Sequence, residues 1–265
     1  MKMRRNLRKR IGRWSVHLRP DEGCIYVYEA QVLRGRYDLI VSMPSYCRKC
    51  MHPCVSEEEC KHHLEDEVLD RTLAVSIYRP VKYRPIADLS DLLGEHIRLL
   101  KHYAEYAKPI AAAMIICLEG GIFPDFSIDD IDVIIPIPRH PEELKIDEET
   151  GQLYNQAELL AAHVAHGINK PLLTDVLMKT EKFSMHNKPK RERIRLARRG
   201  YSIRPGTESK VEGKSVLLID DIRTTGATLD ACARRLKEAG AKEVYAYVAG
   251  RDILVGVVRR CLGQT

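Results

Sequence analysis

The stretch Val216–Thr228, VLLIDDIRTTGAT, decides the fold and carries the candidate chemistry. Its first four residues are apolar, as in a strand that is buried on both faces of a parallel sheet. Two acids follow where such a strand ends, and open α/β sheets bind their ligands at that edge. A loop rich in threonine and glycine then opens a helix, which Gly240 is placed to end. The stretch therefore predicts a strand, a ligand-binding turn and a helix.

Each part of this stretch has a physical role at a ligand site. The adjacent carboxylates of Asp220 and Asp221 can accept hydrogen bonds from vicinal hydroxyls, as on a ribose. Gly226 lets the backbone approach a ligand closely, and the positive end of the helix dipole favours a phosphate. The loop groups that would face this phosphate belong to Arg223, Thr224, Thr225, Gly226, Ala227 and Thr228. Together these groups predict a ribose 5-phosphate site.

Two other interpretations of this stretch stay open. One is an ordinary strand–turn–helix with a capping threonine. The other is an acid pair that binds Mg²⁺ as in receiver domains, where a Thr/Gly loop is not needed. The chain contains neither a Gly-x₄-Gly-Lys-Ser/Thr P-loop nor a Gly-x-Gly-x-x-Gly fingerprint, so no motif supports a rival nucleotide-binding fold.

The second half of the chain alternates strand patterns with helix patterns. Alternation of this kind predicts an α/β fold with a parallel sheet covered by helices. Residues 86–107 and 155–166 have helical spacing of apolar residues. The strand candidates are Ile131–Pro138, Leu172–Met178, Ser215–Asp220 and Glu243–Ala249.

The charge of the chain is unevenly distributed. The net charge is +6, but residues 1–19 carry eight basic and no acidic side chains, and residues 179–199 carry nine basic and two acidic ones. The basic arm at the start is either a solvated terminus or a contact for the phosphates of nucleic acid. The longest apolar run, Pro109–Leu118, is too short to span a bilayer, and no signal peptide is recognisable. We expect a soluble cytoplasmic protein with no membrane contact.

Four of the eight cysteines are closely spaced: Cys47, Cys50, Cys54 and Cys60. Four thiolates suit tetrahedral Zn²⁺, and a Cys₄ iron–sulfur cluster or four free thiols are the alternatives. We expect a metal with a structural role, because no open coordination position can be argued from the spacing.

The stretch Val216–Thr228 resembles the signature with which type I phosphoribosyltransferases bind phosphoribosyl pyrophosphate (PRPP). Other segments resemble the ComF-like (amidophosphoribosyltransferase-like) subfamily, and the similarity covers about residues 73–251. These segments are YRPVKYRPIADL around Tyr83, DVIIPIPRH at 132–140, NQAELLA at 155–161 and the pair Glu192-Arg193. The resemblance implies a Rossmann-like parallel-sheet fold with a small N-terminal cysteine-rich region.

The resemblance also implies roles for individual residues. Asp220 and Asp221 would hold the ribose hydroxyls, and residues 224–228 the 5-phosphate. Arg139 and His140 would face the pyrophosphate together with Mg²⁺. The basic segment 179–199 would close over the site as a lid, although a merely solvated segment is the alternative. Arg193 in this segment is a candidate catalytic residue together with Asp220 and Asp221.

The chain departs from the family pattern at three places. Arg223 stands where the family usually has an aliphatic residue, so it either adds a phosphate contact or points to solvent. The run EELKIDEETGQLYNQ at 142–156 is acidic where the subfamily has arginines. The subfamily's glutamine is replaced near His186. The last two changes concern the pyrophosphate contacts and the acceptor.

Two functional classes follow. The first is a Mg²⁺-dependent enzyme that transfers the phosphoribosyl group of PRPP to an unidentified nitrogen acceptor: ammonia, an amine or a nucleobase. The second is a PRPP- or nucleotide-binding regulator without turnover, or a DNA-uptake protein that contacts nucleic acid through the basic arm. The family often forms homodimers, and the sequence leaves the oligomeric state open.

The patterns divide the chain into four regions. Residues 1–20 form the basic arm, and residues 21–66 contain a β-hairpin around Arg34-Gly35-Arg36 and then the cysteines. From about Ser56 a helical pattern runs on. The phosphoribosyltransferase domain would span 67–255, followed by a tail at 256–265.

Overall fold

The computed structural model describes residues 6–43, 45–53, 60, 64, 66–78, 92–184 and 188–252. Its strands and helices are β1 (Leu7–Ile11), β2 (Trp14–Arg19), β3 (Cys24–Glu29), β4 (Val32–Asp38), β5 (Arg71–Tyr78), α1 (Leu92–Leu99), α2 (Ala107–Glu119), β6 (Val133–Pro136), β7 (Lys145–Ile146), β8 (Leu153–Tyr154), α3 (Gln156–Ile168), β9 (Leu177–Lys179), α4 (Lys190–Gly200), β10 (Tyr201–Ile203), β11 (Ser215–Arg223), α5 (Ala227–Glu238) and β12 (Glu243–Asp252).

The strand of the deciding stretch, β11, lies inside a four-stranded sheet. The strand order is β5–β12–β11–β6, and all neighbouring pairs are parallel. Residues 216–219 are all fully buried, so both faces of β11 are covered, as parallel strands require. Helix α3 packs on β11 and β6, and α5 packs on β11 and β12. The predicted α/β fold with a parallel sheet is confirmed.

A second sheet, antiparallel in the order β1–β2–β3–β4, lies at the N-terminal end of the chain. Trp14, Val16 and Leu18 of β2 alternate with more exposed residues and form part of its buried face. This face packs on α2, which also contacts α3 and the parallel sheet. Eleven of the thirteen residues of α2 are buried, because the helix lies between two layers. Within the described residues, no helix has the length and apolar character that crossing a bilayer requires.

The N-terminal elements differ from the sequence expectations in two ways. Residues 7–19, which we assigned to the basic arm, form β1, a turn and β2, because Trp14, Val16 and Leu18 reach the core while Arg8 and Arg10 lie on the opposite face of the sheet. The hairpin of β3 and β4 turns at Ala30 and Gln31, and not at Arg34-Gly35-Arg36. Both turn residues have positive φ, 46° and 73°, which suits the twist of a two-residue hairpin.

Three further segments differ from the expected pattern. From about Ser56 we predicted a helical pattern, and most of the residues between Ser56 and Asp66 lie outside the described residues. The chain that follows forms strand β5, which the sequence analysis did not predict. The strand candidate Leu172–Met178 divides into a single bridge at Leu172 and the start of β9, which pairs with β10 away from the parallel sheet. The basic segment 179–199, for which we expected a loop or a frayed helix, ends in the regular helix α4.

Candidate functional site

A cavity of about 360 Å³ opens at the carboxyl end of β11. The parallel strands all have their carboxyl ends at this edge, which is where open α/β sheets usually bind their ligands. The residues that line the cavity come from the acid pair, the following loop, the start of α5 and three basic side chains from elsewhere. They are Lys101, Arg139, Arg193, Asp220, Asp221, Ile222, Arg223, Thr224, Thr225, Gly226, Ala227, Thr228 and Leu229.

The acid pair lies at the base of this cavity. The side chain of Asp220 accepts a hydrogen bond from the backbone N–H of Asp221 (3.0 Å), and the side chain of Asp221 accepts one from the N–H of Ile222 (2.8 Å). Burial and the neighbouring Asp221 charge raise the pKa of Asp220 well above its usual range. Two carboxylates held this close favour a ligand that brings hydroxyl donors or a cation.

The threonine-rich loop turns sharply into α5. Gly226 has φ of 82° and precedes the first helical residue, Ala227. A Cβ at Gly226 would lie 2.7 Å from the guanidinium of Arg223, so both the dihedral angle and the space require glycine. The hydroxyl of Thr225 accepts a hydrogen bond from the N–H of Ala227 (3.3 Å). The loop and the first turn of a twelve-residue helix therefore present backbone N–H groups and hydroxyls to an anion.

Arg193 joins the basic segment to this loop. It lies in the first turn of α4, and its Nη1 donates a hydrogen bond to the hydroxyl of Thr224 (3.1 Å). Its Nε donates to the carbonyl of Lys188 (2.9 Å), which fixes the direction of the side chain. The basic segment thus brings one guanidinium to the mouth of the cavity. His186 lies outside the described residues.

Arg139 and His140, the two residues that follow the Pro-x-Pro turn, have different surroundings. Arg139 lines the cavity, and its Nη2 donates to the side-chain oxygen of Gln156 (2.7 Å). His140 is not among the described lining residues; its Nδ1 accepts a hydrogen bond from the N–H of Glu142 (3.4 Å) and caps a short turn. Lys101, which the sequence analysis missed, adds a third cation to the cavity. It follows α1 in a segment whose only sequence signal is apolar periodicity.

Arg223 occupies a different position from either one we considered. Its side chain is fully buried, and its Nη2 lies 2.8 Å from Oε2 of Glu67. Its Nη1 donates to the hydroxyl of Thr72 on β5. The guanidinium therefore lies against Gly226 beneath the loop, out of contact with solvent.

Three of the four clustered cysteines come together. The sulfur atoms of Cys47, Cys50 and Cys60 all lie within 4.8 Å of one another, and all three residues are buried. The Cys50 and Cys60 sulfurs are 3.6 Å apart, and tetrahedral Zn²⁺ with bonds of about 2.3 Å needs roughly 3.8 Å between ligands. Hydrogen bonds from Cys47 and Cys60 lower the pKa of Cys50, and the nearby Arg251 and Arg223 charges act in the same direction. These donors fit a thiophilic metal; Cys54 lies outside the described residues.

Comparison with known families identifies the second half of the chain. Residues 155–261 match the model of the phosphoribosyl transferase domain. This range contains α3, α4, β11, α5 and β12, which together carry the acid pair, the loop and Arg193.

Two curated relatives are each similar to this chain over just under 110 residues. The competence protein ComFC of Bacillus subtilis (strain 168) is 38% identical over 108 residues, which are 41% of this chain and 39% of that protein. The orotate phosphoribosyltransferase of Saccharolobus solfataricus is 28% identical over 107 residues, which are 40% of this chain and 51% of that protein. The matches thus span about half or less of the length of these relatives.

The chain is also similar to a solved structure, that of a purine phosphoribosyltransferase from Pyrococcus horikoshii Ot3. Its identity to this chain is 18%, and its TM-score is 0.33. The match covers 54% of this chain and 83% of that one.

Proposed function

We propose that this chain, which matches the phosphoribosyl transferase domain over residues 155–261 and resembles the competence protein ComFC, binds PRPP with Mg²⁺ and transfers the 5-phosphoribosyl group to a nitrogen nucleophile. Pyrophosphate is released in this reaction. One observation carries the proposal: the acid pair, the Thr/Gly loop and three separate cations, Lys101, Arg139 and Arg193, line a single cavity.

The cavity offers a distinct surface for each part of PRPP. The carboxylates of Asp220 and Asp221 accept hydrogen bonds from the ribose hydroxyls, and the 5-phosphate lies against residues 224–228 at the positive end of α5. Arg139, Arg193 and Lys101 face the pyrophosphate and balance its negative charge. Mg²⁺, when bound with PRPP, supplies further charge neutralisation of the leaving group.

The reaction asks for little covalent work from the protein. The bond between the anomeric carbon and the pyrophosphate oxygen breaks, its electron pair leaves with pyrophosphate, and a bond to the acceptor nitrogen forms. That nitrogen then loses a proton to solvent. The role of the residues is to hold the ribose, stabilise the developing charge and exclude water, which is where most of the rate enhancement of such sites arises.

The acidic segment 142–156 leaves the proposed pyrophosphate region free. Glu143 pairs with Lys179, and Glu148 pairs with His102. Asp147 accepts hydrogen bonds from backbone N–H groups, including that of Ala104. None of the acidic side chains of this segment is among the described residues that line the cavity. The acidic side chains of this segment therefore do not line the proposed pyrophosphate region, where they would oppose an anion.

Phosphorus NMR tests the proposed reaction directly. PRPP and Mg²⁺ are incubated with the protein and with ammonia, glutamine, amines and nucleobases in turn, and the control carries Asn at both 220 and 221. We expect a pyrophosphate signal with the wild-type protein and one acceptor only. PRPP signals that broaden with the wild type, without pyrophosphate in any mixture, would instead indicate a PRPP-binding regulator. Signals unchanged by the wild-type protein would contradict the PRPP site itself.

A specific surface supports a second function, the binding of single-stranded nucleic acid. On the outer face of the antiparallel sheet, register pairs Arg8 with His17, His17 with Tyr26, and Tyr26 with Arg36. Directly paired residues point to the same face, so two arginines flank two rings in one row across four strands. The ring of Tyr28, two residues further along β3, lies 4.6 Å from that of His17 and adds a third ring to this face. Basic side chains interleaved with aromatic rings suit phosphates and stacked bases.

The binding of a fluorescein-labelled oligo(dT) strand, followed by anisotropy at several salt concentrations, tests this second function. We expect Tyr26→Ala to weaken binding by about tenfold, since stacking on one ring contributes about 1–3 kcal/mol. Arg8→Gln and Arg36→Gln should reduce the slope of affinity against salt. The matched control is the protein with Asn at 220 and 221, which should bind the strand normally. Equal binding by wild type and Tyr26→Ala would contradict a role of this face.

A further inference from the structure

A buried arginine joins the cysteine cluster to the phosphate-binding loop. Arg251 lies near the end of β12 and is 1% exposed. Its Nη1 donates hydrogen bonds to the carbonyls of Arg223 (2.8 Å) and Thr224 (2.6 Å). Its Nε donates to the carbonyl of Cys50 (3.0 Å). A single planar guanidinium thus holds the backbone of both segments.

The contacts of Arg251 determine the direction of two N–H groups in the loop. In a trans peptide the N–H of one residue points opposite to the carbonyl of the residue before it. The carbonyls of Arg223 and Thr224 point at Arg251, so the N–H groups of Thr224 and Thr225 point away from it. Both threonines line the cavity, and Arg251 is not among the described lining residues. Arg251 therefore orients donors that an anion in the loop would meet.

A second connection runs in parallel through Arg223. Its guanidinium lies under Gly226 and bonds to Thr72 on β5. The N–H of Thr72 in turn donates to the carbonyl of Lys49, next to Cys50 (2.7 Å). The segment that carries Cys47 and Cys50 is therefore attached to the underside of the loop by two independent sets of buried hydrogen bonds.

We propose that Arg251 is a positioning residue through which metal binding at Cys47, Cys50 and Cys60 and phosphate binding at the loop strengthen each other. A metal that fixes the cysteine segment also fixes the carbonyl of Cys50, which holds Arg251 and, through it, the loop. Coupling between two sites is reciprocal, so a ligand in the loop must slow the loss of metal by as much as metal raises the affinity for that ligand, apart from effects on association rates. The inference rests on the proposed PRPP site.

Zinc release from the full chain measures this coupling without any turnover. Zinc-loaded protein is mixed with a colorimetric chelator, with and without PRPP and Mg²⁺. We expect PRPP to slow zinc release by about 5- to 150-fold in the wild type, the usual range of coupling between sites. Arg251→Lys keeps the charge but cannot reach both segments with one planar group, so its zinc release should not respond to PRPP.

Arg71→Lys is the matched control. Arg71 also donates to the cysteine segment, at the carbonyl of Arg48 (3.1 Å), and it donates to the carbonyl of Pro124 (2.6 Å), which lies far along the chain from the loop. Its zinc release should keep the wild-type response to PRPP. A response retained in Arg251→Lys, or lost equally in both variants, would overturn the role of Arg251.

Two further measurements distinguish a failure of the proposed PRPP site from a failure of the coupling. Calorimetry with PRPP tests the proposed function: no heat of binding to the zinc-loaded wild type contradicts the PRPP site, whereas binding without any effect on zinc release contradicts only the coupling. Absence of bound zinc or iron after purification and reconstitution also overturns the inference. Should Arg251→Lys not fold, deuterium exchange of the peptide 223–228 in the wild type takes its place, and it should speed up by fivefold or more when zinc is removed.

Discussion

At the scale of single residues, the acid pair lowers the stability of the folded chain when no ligand is bound, and a bound ligand would offset this loss. Burial and Asp221 raise the pKa of Asp220, so the ionised form is less favourable in the folded protein than in the unfolded one. Its ionisation therefore lowers stability at every pH above the unfolded pKa, about 3.9. A site that binds hydroxyls or a cation keeps such groups for function rather than for stability.

We predict that Asp220→Asn stabilises the chain in the absence of ligand. At pH 7 the melting temperature should rise by about 2–4 °C, which corresponds to about 1 kcal/mol in a domain of this size. The gain should shrink as the pH falls, because the wild-type carboxyl takes up its proton first in the folded state, and it should vanish below pH 4. Thermal unfolding followed by circular dichroism at pH 7, 5 and 4 measures this. A lower melting temperature at pH 7 would show that the carboxylate stabilises the fold.

His96 makes the opposite contribution to pH dependence. It is 3% exposed, and its Nδ1 lies 2.6 Å from the hydroxyl of Tyr37 on β4. Burial, helped by the charge of Arg34, lowers the pKa of His96 to about 3. The unfolded chain takes up this proton near pH 6.5 and the folded chain does not, so stability is full above pH 6.5 and is lost as the pH falls towards 3.

His96→Gln should therefore reduce the loss of unfolding free energy that occurs as the pH falls below 6.5. Each pH unit below 6.5 costs the wild type about 1.4 kcal/mol, or about 2 kcal/mol at pH 5. Glutamine can accept the hydrogen bond of Tyr37 but has no proton to gain. Urea unfolding at pH 7 and pH 5 should show a difference between the two pH values that is smaller in the variant by this amount. An unchanged difference would mean that His96 titrates normally in the folded protein.

Single residues also show where sequence reasoning ends. The spacing of the acids and threonines predicted which side chains share a site, because neighbours in a strand and loop stay together when the chain folds. It could not predict where the long side chain of Arg223 lies, because its partners Glu67 and Thr72 are more than 150 residues away in sequence. Lys101 was missed for the same reason.

At the scale of elements, α4 shows how a charged segment becomes ordered. Its sequence is strongly basic, and we expected a lid or a solvated loop. One face carries Ile194 and Ala197, which pack on the core, while the arginines occupy the rest of the helix. The helix thereby brings one arginine, Arg193, to the cavity and turns another, Arg195, to solvent.

These two arginines allow a matched comparison on one helix. Arg193→Gln should raise the Kd for PRPP by about tenfold or more, because a charge-assisted hydrogen bond to phosphate contributes about 1.5–3 kcal/mol. Arg195→Gln removes the same charge from the same helix and should change the Kd by less than twofold. Calorimetry gives both constants, and far-ultraviolet circular dichroism checks that α4 is intact. Equal losses in the two variants would indicate only a long-range effect of net charge.

The turn between β11 and α5 allows a second comparison, between two glycines of the same φ. Gly226 and Gly206 both have φ of 82°, but a Cβ meets nothing within 4 Å at Gly206 and meets the Arg223 guanidinium at Gly226. Gly206→Ala should cost only the backbone strain, about 1 kcal/mol. Gly226→Ala should cost at least 1 kcal/mol more in urea unfolding and should abolish PRPP binding, because Arg223 must move. Equal costs would show that the guanidinium yields easily.

At the scale of the whole molecule, the parallel sheet was predictable and its attachment to the N-terminal sheet was not. Strand β6 is short and apolar, and β11 and β12 contain largely apolar runs that begin after turns, so each strand is visible locally. The antiparallel sheet is half-exposed, and its basic outer face conceals the alternation that buries Trp14. That the sheet packs on α2 is a matter of tertiary contact, which no local pattern specifies.

This packing makes a prediction about the proposed boundary near residue 67. Helix α2 forms one continuous core with residues of both sheets, and Tyr247 of β12 donates a hydrogen bond to the carbonyl of Met114 in α2. Separate domains on either side of the boundary would unfold independently, but a shared core should unfold as one unit. Trp14, the single tryptophan, reports on the N-terminal sheet, and circular dichroism at 222 nm reports mainly on the helices. We expect the two signals to change at the same urea concentration, with one midpoint and one slope. A fluorescence transition that comes first would show instead that residues 6–43 form a separately folding layer, and that α2 keeps its structure without them.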